Sequence, residues 1–303
     1  MYYMGIQKEI YDAIKQFSFE KLSIEIDNEK VINLVKLTSE NVILAEAIYQ
    51  IMYGHYDLNI DDKQKADINK IETNVPEGDG LGEKQVGELR EQLNRIKDQN
   101  NNVTPDPSSY WFREIHKYEK KDKHFLFLLI GACHAVNREN STHLNNKELC
   151  EMVKWIYHNK TPQELIMFLK NKDLNIIANL RKIKEIRDNY SFITKFCHYA
   201  CFYMFDDEAR DNYSIYDKVL SDYIPYYYYH YVILKGRRDK IPNNEIIKMR
   251  NEFQNNGNKD NDGNKKCKND YKDYVSKIDK IIKGSDVKIS HNGFDHLLWI
   301  YHR

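Results

Sequence analysis

The run YSFITKFCHYACFYMF, residues 190–205, is aromatic, apolar or small except for one lysine, Lys195. Lysine is among the side chains least often buried, because its ammonium must shed water. An amine held among aromatic rings loses hydration, and the neutral form that gains from this is a nucleophile able to attack an electrophilic carbon and form a Schiff base. Downstream, in YSIYDKV, Asp217 is flanked by Ile215, Tyr216 and Val219. A carboxylate in such a setting is suited to stabilising positive charge that develops on a reacting centre. For each residue there is a plainer alternative. The Lys195 stem can lie on aromatic faces with its head reaching water, and Asp217 can be an ordinary first-turn acid.

Helical spacing sets the surroundings of both residues. Ser191 is a candidate cap for a helix starting at Phe192. On that helix the residues three, four and seven positions from Lys195 are Phe192, His198, Tyr199 and Phe202, every one aromatic. DDEARD, 206–211, reads as a short loop. SIYDKVLSDYI, 214–224, begins a second helix with Asp217 near its N-terminal end, where the helix dipole favours a carboxylate.

The rest of the chain reads as mostly α-helical. Apolar residues recur at helical intervals over 6–17 and 40–54, and helices are expected at 110–120, 124–138, 146–158, 161–171 and 173–187. Asn145 is placed to cap the third of these, and TPQE, 161–164, forms a capping box with Pro162 at the first helical position. Alternation compatible with a small strand element occurs only around 22–37. Residues 57–109 read as a mobile insertion carrying one polar helix, 83–98, whose apolar stripe is Val86, Leu89, Leu93 and Ile96. Residues 254–270, rich in Asn, Lys, Asp and Gly, read as a flexible insertion. A domain boundary is therefore placed at 109/110, with an N-terminal helical region before it and a helical domain after it.

The 303 residues carry 46 basic and 46 acidic side chains, so net charge alone excludes no partner. The distribution is uneven: residues 1–100 hold 12 basic against 19 acidic side chains, and residues 235–288 hold 15 against 9. Five cysteines without framework spacing read as reduced core residues of a cytoplasmic protein. No apolar run approaches 18 residues, so no membrane partner is expected. His291, His296 and His302 lack metal-ligand spacing, and there is no phosphate-cradling glycine loop or nucleophile elbow, so neither metal nor cofactor is expected. IPYYYYHYV, 224–232, surrounds a helix with aromatics. Tyr227, Tyr228 and Tyr231 fall on one face and Tyr226, Tyr229 and His230 on another.

The pairing of ITK (193–195) with YD (216–217) resembles the helix-hairpin-helix DNA glycosylases, in particular the 8-oxoguanine branch. There, a lysine opening a helix is the nucleophile and an aspartate downstream is essential. The pattern SFITKFCHYA, YSIYDKVL and HLLWIYHR also resembles bacterial glycosylase-fold proteins that include phage-defence candidates. The resemblance spans roughly residues 125–303 and implies a helical bundle of that fold. It implies Lys195 and Asp217 as catalytic residues and DNA with a damaged or modified base as the partner. Ser191, His198, Tyr199 and Tyr213 are candidates for binding the DNA substrate, Ser191 with its helix N-terminus as a place for an anion. Lys235, Arg237 and Arg238 in KGRRDK are candidates for the phosphate backbone. The chain departs from the family at RDNYSFITK, 187–195, which has no glycine where the family's hairpin has two, and it has no four-cysteine cluster. A non-catalytic nucleic-acid- or protein-binding module on the same helices is the competing expectation.

Overall fold

The computed structural model describes residues 19–26, 30–53, 62–98, 107–139, 144–183, 189–237, 240–254 and 270–302. Among them are one β-hairpin and thirteen α-helices. No described helix is long and apolar enough to cross a membrane. The chain divides into two compact units: Met1–Met52 with Ser214–Arg303, and Tyr53–Tyr213. This division differs from a boundary at 109/110. Composition marks where apolar density changes, whereas a unit assembled from two separated stretches leaves no local trace.

The discontinuous unit opens with β1 (Lys21–Ile26) and β2 (Lys30–Val35), antiparallel with Leu22 opposite Leu34 and Ile24 opposite Ile32. Ile24, Ile26 and Leu34 are buried, so the alternation read around 22–37 marks a true hairpin. Ile241 joins the far side of β1, its N–H donating to the Glu25 carbonyl at 3.1 Å. Helix α1 (Ser39–Tyr53) follows.

The continuous unit holds α2 (Asp62–Thr73), α3 (Glu83–Asp98), α4 (Pro107–Lys117), α5 (Lys123–Glu139), α6 (Asn146–Asn159), α7 (Pro162–Lys170), α8 (Asn175–Arg181) and α9 (Tyr190–Met204). Residues 62–98 are not an excursion. Val86, Leu89 and Leu93 line the buried stripe of α3, and Ile68, Ile71, Val75 and Leu81 are buried beside them. Few apolar residues suffice there because they lie on one face. Both expected caps are present, and each is a capping box. The Asn145 side chain accepts from the Glu148 N–H and that of Thr161 from the Glu164 N–H, while each glutamate accepts from its cap residue's N–H. Helix α5 is buried continuously from Phe125 to Asn137. Its Gly131 lies flat against the Trp111 ring of α4.

The discontinuous unit resumes with α10 (Lys218–Tyr228), which passes into a π-helical turn over Tyr229–Ile233. Then come α11 (Asn243–Gln254), α12 (Asp270–Gly284) and α13 (His291–His302). The wide turn closes with the Leu234 N–H on the Tyr229 carbonyl at 2.9 Å. It aligns Tyr227 and Tyr231, whose rings stack at 6.5 Å and 8°. Their phenol oxygens accept from the Val35 and Leu37 N–H groups at 3.1 and 3.0 Å. The Tyr227 hydroxyl also shares a hydrogen bond with His302 Nε2 at 2.9 Å. Part of the tyrosine run therefore satisfies the backbone at the end of β2. Tyr227→Phe leaves a buried N–H without its acceptor, and urea unfolding is expected to show a loss of about 1–3 kcal/mol.

Cys133, Cys150, Cys197 and Cys201 are reduced and buried, and burial pushes all four thiols above their ordinary range. Ellman's reagent is expected to leave these four unmodified in the native protein and to label all of them after unfolding. The expected helix at 6–17, the insertion at 254–270 apart from its end residues, and Cys267 lie outside the described residues.

Candidate functional site

Helix α9 is the central helix of its unit. Of its fifteen residues, only Ser191, Phe202 and Tyr203 are not buried. A helix apolar on all sides is stable only when surrounded by protein. Lys195 is therefore enclosed, with 8% of its surface exposed. Its helical neighbours Phe192, His198 and Tyr199 are buried too, and Phe196 meets Phe112 of α4 edge-on at 5.3 Å.

The helix begins earlier than a Ser191 cap requires. Asn189 occupies the cap position, its carbonyl accepting from the Ile193 N–H at 3.0 Å. Ser191 is thus inside the first turn, and its carbonyl accepts from Thr194 Oγ1 at 3.1 Å. Tyr190 is the first helical residue, and its buried ring lies under the Arg181 guanidinium at 4.3 Å.

His198 and Tyr213 are interior residues joined to one another. His198 Nδ1 donates to the Tyr213 carbonyl at 2.7 Å, and its ring stacks on Phe202 at 6.3 Å. The Tyr213 hydroxyl donates to the Asp173 carbonyl at 3.2 Å, and burial pushes the phenol far above its ordinary range. Tyr199 is buried between His198, edge-on at 5.3 Å, and Tyr203, stacked at 6.2 Å. The structure thus gathers Lys195, Ser191, His198 and Tyr199 on α9, with Tyr213 bonded to it.

The remaining candidates belong to the discontinuous unit. Asp217 is the N-cap of α10, and its Oδ1 accepts from the Leu220 N–H at 2.9 Å. Its carboxylate is half-buried at the positive end of the helix dipole. Lys235 is exposed, in a left-handed backbone conformation with φ of 50°. Arg237 is exposed and its Nε donates to the Leu234 carbonyl at 3.2 Å. Arg238 lies outside the described residues.

Four polar side chains of the discontinuous unit have partners that no local pattern reveals. Asp295 of α13 reaches the Ile215 N–H, and Tyr271 and Tyr274 of α12 bond the same stretch of backbone. His296, nearly buried, faces Glu46 of α1 through Nδ1 at 2.8 Å and stacks on Tyr49 at 3.6 Å. Glu46 is 250 positions away. Among the described residues, no group of three His, Cys, Asp or Glu side chains is gathered as for a metal ion.

No family model matches the chain, and no curated protein or solved structure matches it either.

Proposed function

We propose that the chain is a DNA N-glycosylase with the helix-hairpin-helix glycosylase fold, in which Lys195 is the nucleophile and Asp217 the charge-stabilising carboxylate. The observation that carries this reading is Lys195 itself, a lysine with 8% exposure on a helix otherwise buried in aromatic and apolar side chains. Such burial costs stability, and a residue kept at that cost is a candidate for chemistry. The next α-helix in the chain begins with a carboxylate at its cap.

In the reaction, the Lys195 amine attacks C1′ of the target nucleotide. The N-glycosidic bond breaks with its electron pair leaving on the base, which takes up a proton. The amine loses a proton and the sugar ring opens to an imine, from which the 3′ phosphate can be eliminated. Positive charge on the sugar during bond breaking is what the Asp217 carboxylate offsets. Lys235, Arg237 and Arg238 supply phosphate contacts.

The test is reductive trapping. The protein is incubated with DNA containing abasic sites, oxidised guanine, uracil or modified cytosine, and borohydride is added. A covalent protein–DNA adduct that requires Lys195 supports the reading, and the base trapped best names the substrate. Base release that depends on Asp217 without any adduct would make the enzyme monofunctional. The absence of both adduct and base release would overturn the reading.

A second reading, a non-catalytic nucleic-acid- or protein-binding module, draws on a specific observation. His198, Tyr199 and Tyr213 are interior and bonded within the protein, which leaves them to packing rather than to base contact. That module would bind DNA or a protein equally well with Lys195 replaced.

A further inference from the structure

Just upstream of Asp217, all four backbone polar groups of two successive residues are held by buried side chains. The Ser214 N–H donates to the Tyr271 hydroxyl oxygen at 2.9 Å, and that hydroxyl donates to the Ser214 carbonyl at 2.8 Å. The Ile215 N–H donates to Asp295 Oδ2 at 2.9 Å, and the Tyr274 hydroxyl donates to the Ile215 carbonyl at 2.6 Å. Tyr271, Tyr274 and Asp295 are each at most 2% exposed. Tyr216 follows, its ring edge-on to Tyr274 at 5.2 Å. Asp217 then places its carboxylate on the Leu220 N–H.

In most cores the backbone satisfies itself through helices and sheets. Here side chains from two helices do that work for an irregular segment, and one of them is a carboxylate whose burial is costly. A loop needing only to be tolerated at the surface would leave these groups to water. Holding the N–H and C=O of both residues removes their torsional freedom and leaves Tyr216 as the one residue between the fixed segment and Asp217. Placement to within about an ångström is what a transition-state contact demands.

We propose that Asp295, Tyr271 and Tyr274 are positioning residues for Asp217, acting through the Ser214–Ile215 backbone to fix where its carboxylate sits. The role in catalysis rests on the reading of Asp217 given above; the role in placement does not. Removing the Asp295 side chain takes away the acceptor of the buried Ile215 N–H, which then bears its full desolvation penalty.

Amide hydrogen exchange and single-turnover kinetics, measured together on the full chain, test this. The Leu220 amide reports on the Asp217 carboxylate, and the Ile48 amide of α1 reports on the stability of the unit. In Asp295→Ala, exchange at Leu220 is expected to accelerate roughly tenfold more than at Ile48. Base release falls by a similar factor with DNA affinity unchanged. Asp295→Asn, which keeps an oxygen toward Ile215, restores most of both. Tyr274→Phe removes one hydroxyl with little change of volume, and it decides the matter if Asp295→Ala does not fold. Equal acceleration at Leu220 and Ile48 would reduce the network to general stability and overturn the proposal. If the parent protein releases no base from any DNA, the glycosylase reading fails, while selective exchange at Leu220 would still establish the placement.

Discussion

If Lys195 is the nucleophile proposed above, Lys195→Met is expected to eliminate the borohydride-trapped adduct while leaving the melting temperature unchanged or higher. Methionine keeps the length and most of the volume of the lysine stem inside α9 and removes only the ammonium. A group retained for chemistry at the expense of stability can be lost without thermal penalty, as happens at many active sites. If Lys195 serves packing or pairing instead, the same variant melts lower and any adduct persists. The companion variant is Asp217→Asn. Asparagine is as good an N-cap as aspartate, so the bond to the Leu220 N–H and the start of α10 survive. Only the charge is lost. Base release is expected to fall by about 100-fold or more, in line with removal of a single electrostatic stabiliser. Equal melting temperatures for Asp217→Asn and the parent assign that loss to the reaction, and an undiminished rate would remove Asp217 from the mechanism.

Gly131→Ala is expected to be the most damaging single-methyl change in the continuous unit. A Cβ added there meets Trp111 Cδ2, Cε3 and Cε2 at 2.3, 2.4 and 2.6 Å. The indole cannot swing aside, because Trp111 is buried and braced edge-on by Phe127 at 5.5 Å and Tyr110 at 4.9 Å. Ordinarily alanine improves on glycine inside a helix by about 1 kcal/mol. Here overpacking outweighs that gain, and a net loss of about 3 kcal/mol is expected in denaturant unfolding. Trp111→Leu in the same chain relieves the clash, so the double variant is more stable than the two single losses would sum to. A neutral Gly131→Ala would mean that α4 and α5 separate readily.

Much of the helical architecture follows from local chemistry. Asn145 and Thr161 cap the helices they were expected to cap, because a capping box involves residues three apart. Asp217 at the head of α10 was legible for the same reason. What local chemistry could not show was long-range pairing. Nothing around Asp295 points to the Ile215 amide 80 residues away, and Tyr227 and Tyr231 show as helix aromatics until β2 is beside them. His198 and Tyr199 are interior, a placement their types do not reveal, because aromatic side chains pattern alike whether they face a ligand or a core. Helix α9 starts two residues before Phe192, since serine and asparagine cap equally well by type and Asn189 stands where the helix opens.

The bonds from Tyr227 and Tyr231 to the end of β2 span 192 and 194 residues of sequence. A ribosome adds roughly 5–20 residues per second, so a nascent hairpin waits about 10–40 s for these partners. Throughout that interval Val35 and Leu37 have no phenol to bond, and the apolar side of the hairpin lacks its cover. The whole of 53–213 emerges first and can close on its own contacts. The early segment thus passes through synthesis with that side of the hairpin uncovered until the tyrosine helix is made.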